Sequence, residues 1–97
     1  MSKLMPGRFM NQGSRGPAVA ALQLFLVGTR LNSDVVVDGE YGEQTMLAVR
    51  ELQLKYNLEP DGNFGPETRE EVRLRYKLDF NALEQNLFEG DTHAVVP

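Results

Sequence analysis

The 97-residue sequence contains no cysteine, which excludes disulfides, thiolate metal ligands and cysteine nucleophiles. Many exported bacterial domains also lack cysteine, so its absence is compatible with export. There is a single histidine, His93, which lies beside Asp91 near the C-terminus and reads as a solvated polar residue. No Glu-x-x-His or His-x-x-x-His spacing occurs, so no metal site is expected, and no cofactor or catalytic residue either. No apolar run approaches the ~20 residues of a membrane span. Ten Lys and Arg are scattered against fourteen Asp and Glu, for a net charge of -4. That balance disfavours nucleic acid, whose phosphates demand clustered positive charge. The first thirteen residues, interrupted by Pro6 and Gly7, lack the apolar stretch of a secretory signal. Export is expected to depend on a segment outside this sequence or on a route without a signal peptide.

What remains has the makings of one compact domain, with 41% hydrophobic and 25% charged residues. A first helix is expected from Pro17, capped by Ser14 or Gly16, because Val19, Leu22, Phe25 and Leu26 fall on one helical face. Gly28 is placed to end it in a left-handed conformation. Residues 29–42 form a long connection in which Val35, Val36 and Val37 favour extended backbone. A second helix over 43–56 carries Thr45, Val49, Leu52 and Tyr56 as a buried stripe, with Asn57 as its stop. A third begins at Pro66 and places Thr68, Val72 and Tyr76 on one face. Asn81-x-x-Glu84 resembles a capping box for a short fourth helix over 82–88, closed by Gly90.

Two segments match at an offset of 23. Asp38-Gly39-Glu40-Tyr41-Gly42-Glu43-Gln44-Thr45 recurs as Asp61-Gly62-Asn63-Phe64-Gly65-Pro66-Glu67-Thr68. A weaker echo repeats Val19-x-x-Leu22-Gln23-Leu24 as Val49-x-x-Leu52-Gln53-Leu54. Each motif residue has a folding task. The Asp carboxylate can accept backbone N–H bonds, the first Gly supplies a positive φ, the aromatic ring fits beneath the loop, and the Thr hydroxyl can bond the loop.

These blocks, taken with Gly16-x-x-Val19-x-x-Leu22-Gln23, resemble the peptidoglycan-binding domain-like family over residues 13–76. Tyr41 stands where that family usually has Phe, as does Leu52. The resemblance implies an all-α fold: a small closed three-helix bundle with two pseudo-repeated loop-helix units. It assigns residues 13–78 to the domain, 1–12 to an N-terminal extension and 79–97 to a short helix and a tail or linker. It also implies a monomeric, non-catalytic module that acts at the bacterial cell wall and targets a covalently linked hydrolase to its substrate.

On that reading, the stem peptide or glycan of peptidoglycan is the partner. Asp38, Glu40, Tyr41, Thr45, Asp61, Asn63, Phe64, Thr68 and Arg69 are the candidate ligand contacts. Tyr41 would serve as a stacking surface if exposed, and Glu40, Asn63 and Arg69 are the first places to look for specificity. Two alternatives compete. One is a docking domain of a phage or secretion component, using Phe80, Leu83, Leu87 and Phe88 as an apolar helical stripe. The same residues could equally cap the core. The other is a hydrolase fragment using paired carboxylates, for which no motif provides a distinctive environment.

Overall fold

The computed structural model describes residues 9–32 and 34–83. Three helices follow one another: α1 (Pro17–Thr29), α2 (Glu43–Lys55) and α3 (Pro66–Tyr76). Residues 80–83 begin a further helical turn. Among the described residues there is no strand, only two isolated antiparallel bridges, Met10 to Phe64 and Arg15 to Glu40. None of the described helices is long and apolar enough to cross a membrane.

Proline opens α1 and α3 where the sequence places it, after Gly16 and Gly65. Its missing N–H is no loss at a position with no intrahelical acceptor. The end of α1 differs from expectation. Gly28 stays helical, and Arg30 instead takes the left-handed conformation at φ 62°, its N–H bonding the Val27 carbonyl. The Thr29 hydroxyl donates to the Leu26 carbonyl at 2.7 Å and accepts from the Leu31 N–H, so the last turn is satisfied without a glycine. Asn57 is the left-handed stop after α2 at φ 60°, and Lys77 does the same after α3 at φ 58°. The final helical turn is capped by Asp79 rather than Asn81. Asp79 Oδ1 accepts from the N–H groups of Asn81 and Ala82 at 3.0 and 3.2 Å. This cap sets Phe80 directly into the core; Glu84 and Gly90 lie outside the described residues.

The core is built from Leu22 and Leu26 of α1, Val49 and Leu52 of α2, Val72 of α3, and the rings of Phe64 and Phe80. Phe25, Tyr56 and Tyr76 are half-buried at its edge. Phe80 meets Phe64 and Phe25 edge-to-face at centroid distances of 5.1 and 5.6 Å, and Phe25 meets Tyr76 at 5.0 Å. Leu83 packs against the same cluster. Phe80 and Leu83 therefore cap the core, while Leu87 and Phe88 lie outside the described residues. Phe80→Ala is expected to cost about 3–5 kcal/mol of unfolding free energy, read by urea titration. A loss below about 1 kcal/mol would contradict this placement.

On the N-terminal side, Met10 is also buried. Its backbone exchanges two hydrogen bonds with Phe64, at 3.1 and 2.8 Å. Slightly further on, Gly13 donates to Tyr41, Tyr41 to Ser14, and Gly16 to Gly39, all at 2.9–3.0 Å. Residues 10–16 are thus a strap tied to both motif loops. The valine run is irregular: Val35 is buried, whereas Val36 and Val37 are exposed.

Candidate functional site

Each motif loop is closed by a buried glutamine from the preceding helix. Gln23 of α1 is only 1% exposed, and its Oε1 accepts the N–H groups of Asp38 and Gly39 at 2.9 and 2.8 Å. Its Nε2 is shared among Asp38 Oδ1, the Glu40 carbonyl and Thr45 Oγ1, at 2.8–3.0 Å. Gln53 of α2 repeats the device on the second loop. Its Oε1 accepts from Gly62 N–H at 2.9 Å, and its Nε2 reaches Asp61 Oδ1, the Asn63 carbonyl and Thr68 Oγ1 at 2.9–3.1 Å. In both loops the Asp carboxylate also accepts the N–H two residues on, at 2.9 Å. A primary amide is the one uncharged side chain that offers acceptor and donors together at this reach, so it can close a turn from beneath without burying a charge. Sequence reasoning missed these two glutamines; the signal was the Leu-Gln echo, a polar residue recurring within a buried stripe.

The candidate contacts divide sharply. Tyr41, Thr45, Phe64, Thr68 and Arg69 are buried, at 0–4% exposure, and the two threonines spend their hydroxyls on the glutamines. Tyr41 presents no free ring face for stacking. Its hydroxyl donates to the Gly62 carbonyl at 2.6 Å, joining the first loop to the second, which a phenylalanine could not do. Burial, and then the charge of nearby Asp61, push this phenol well above its ordinary pKa, so it remains a donor. The Arg69 guanidinium lies over the Phe64 ring at 5.1 Å and reaches Asn81 Oδ1. Asp38, Glu40 and Asp61 are exposed, and Asn63 is half-buried.

The two loops also differ in what covers them. Gly62 is buried, and a Cβ added there would stand 2.6 Å from Met46 Cγ and 2.8 Å from its Sδ. Gly39 has open space apart from the Gly16 carbonyl at 3.5 Å. Beside this open first loop lies a cleft of about 360 Å³ lined by Arg15, Gly16, Pro17, Ala20, Asp38, Gly39 and Glu40. Arg15 Nη2 and Glu40 Oε2 are 3.3 Å apart across the bridge, with side chains 74% and 62% exposed. An ion pair so exposed contributes at most ~1 kcal/mol, so a ligand can take over either partner at little cost.

Hydrogen bonds from Glu40 N–H and then Gln23 hold the Asp38 carboxyl below its ordinary value of 3.8. A carboxylate with a depressed pKa adds stability at pH values above its unfolded-state pKa and loses it as pH falls through the folded-state value. Asp38→Asn should therefore lower the melting temperature at neutral pH, and that deficit should shrink below about pH 4 until the two profiles converge on the acid side. A parallel downward shift at every pH would show that the charge is irrelevant to the turn.

Comparison with known proteins places the chain. The peptidoglycan binding domain family matches residues 15–71, more than half of its length. The zinc D-Ala-D-Ala carboxypeptidase of Streptomyces albus G is 37% identical over 60 residues, which are 61% of this chain and 24% of that protein. An uncharacterized protein of Kitasatospora aureofaciens is 39% identical over 59 residues, 61% of this chain and 50% of the relative. The chain thus spans from about a quarter to a half of the length of these relatives. Among solved structures, the SleB N-terminal domain aligns with TM-score 0.61 and 31% identity, covering 66% of this chain and 86% of that one. A peptidoglycan-binding protein from Clostridioides difficile, in complex with glutamine hydroxamate, aligns with TM-score 0.62 and 32% identity, covering 71% and 42%. With its three-helix fold and two glutamine-closed loops, the chain belongs to the peptidoglycan binding domain family.

Proposed function

We propose that the domain binds peptidoglycan through the cleft beside the first loop and holds an attached cell-wall hydrolase on its substrate, without doing chemistry itself. The observation that carries this reading is the cleft: exposed Asp38, Glu40 and Arg15 line it, on and beside a loop held from beneath by Gln23. A loop fixed by buried hydrogen bonds loses little freedom when a ligand lands on it, which favours affinity from few contacts. Membership of a binding-domain family supports the non-catalytic part. The likeness to part of a longer carboxypeptidase supports the attachment to a hydrolase. Asp61 and Asn63 would then serve mainly to brace the second loop.

The purified chain is expected to co-sediment with isolated sacculi. Because the wall and the chain are both acidic, long-range attraction is absent and affinity rests on short-range contacts. Retention should therefore change by less than about threefold between low and physiological salt. Protein left wholly in the supernatant at both salts would refute the assignment.

A further inference from the structure

The cleft continues into a second feature that the charged loop does not explain. The thirteen residues of α1, PAVAALQLFLVGT, include no charged side chain. Leu24 and Val27 are nevertheless 65% and 43% exposed. Positions 17, 20, 24 and 27 share one helical face, and Pro17 and Ala20 of that face also line the cleft. An apolar stripe therefore starts at the mixed-charge cleft and runs down the outside of α1. The exposed Leu54 of α2 and Leu74 of α3 stand instead among charged neighbours such as Arg50, Glu51, Glu70 and Arg73, as lone surface leucines commonly do.

We infer that this surface takes the peptide arm of the wall polymer rather than its glycan strand, a refinement that rests on the cell-wall reading above. Sugar rings are usually gripped by an exposed aromatic face, and the cleft lining has none, since both motif aromatics, Tyr41 and Phe64, are buried. Its chemistry suits a short peptide with a free ammonium and a free carboxylate. The ammonium pairs with Glu40 and Asp38, and the carboxylate takes Arg15 as the Arg15–Glu40 pair opens. Small apolar side chains of the same peptide then lie along Ala20, Leu24 and Val27. Polysaccharide hydroxyls would leave both charges of the cleft unmatched and the α1 stripe without an apolar partner.

The test compares intact sacculi with sacculi stripped of their peptides by an amidase, using the whole chain. Retention on stripped glycan should fall by about tenfold or more, and a soluble synthetic stem peptide carrying both charges should displace the protein from intact sacculi. Arg15→Glu and Leu24→Asp, both at exposed positions, should each lose retention while melting like the parent. Leu54→Asp, a matched change on α2, should keep it. Equal retention on intact and stripped walls would overturn the peptide assignment alone, as would equal behaviour of Leu24→Asp and Leu54→Asp. No retention on intact sacculi would overturn the cell-wall reading with it.

Discussion

Replacing Gln53 with leucine should destabilise the domain by about 3–5 kcal/mol, a large share of the ~5–15 kcal/mol available to a domain of this size. The substitution keeps the side chain's bulk but removes every bond it makes. Gly62 N–H and Thr68 Oγ1 are then left in the interior with no replacement partner, and each such orphan costs about 1–3 kcal/mol. The equivalent change at Gln23 orphans the buried Thr45 Oγ1 in the same way but should cost less, about 1–3 kcal/mol, because the backbone groups it frees belong to the exposed Asp38 and Glu40 and the half-buried Gly39, which water can reach. Thermal melts followed by far-ultraviolet circular dichroism would separate the two, since each kcal/mol moves the midpoint by roughly 4–8 °C. Equal losses at the two positions would mean that the second loop is no more sealed than the first.

A second pair of variants tests the same asymmetry through the backbone. Gly39 and Gly62 both sit at φ 78°, so an alanine at either meets the same conformational penalty, about 1 kcal/mol. At Gly39 that should be nearly the whole effect. At Gly62 the new methyl would also collide with Met46 Cγ and Sδ and press on Arg50 Cγ, so Met46 must leave its rotamer. Gly62→Ala is expected to cost about 2–4 kcal/mol in total. Shortening Met46 to alanine in that background should recover part of the loss, as a coupling measured by a double-mutant cycle. Should Gly39→Ala prove as damaging as Gly62→Ala, crowding would not be the cause.

Much of this architecture was legible in the residues. Pro17, Pro66 and Asn57 mark helix boundaries through backbone rules that act locally, and those rules hold here. The motif aromatics could be read either as rings beneath the loops or as ligand contacts, and both are buried. Other features depend on partners distant in sequence. Met10 looks like part of an extension until Phe64 is placed beside it. Arg69 looks like a surface charge three residues into a helix, yet its helical phase turns it onto the Phe64 ring. The end of α1 misled because Thr29 and Arg30 satisfy the final turn without needing Gly28. Of the residues that line the cleft, Asp38 and Glu40 stand out in the motif. Arg15, Pro17 and Ala20 were not, because the cleft exists only once the strap lies across the first loop.

The glutamines carry one more implication. Each lies on the helix before the loop it closes, so the two loop-helix units overlap through α2, and no single cut through the chain leaves both loops with their latches. Gln53 lies eight residues after Thr45, and the residue eight after Thr68 is Tyr76. There the latch is replaced by a phenol, which meets Tyr56 Oη at 2.8 Å and packs edge-to-face against Phe25. Among the described residues the glutamine latch therefore occurs twice, on α1 and α2, and α3 carries Tyr76 at the matching position.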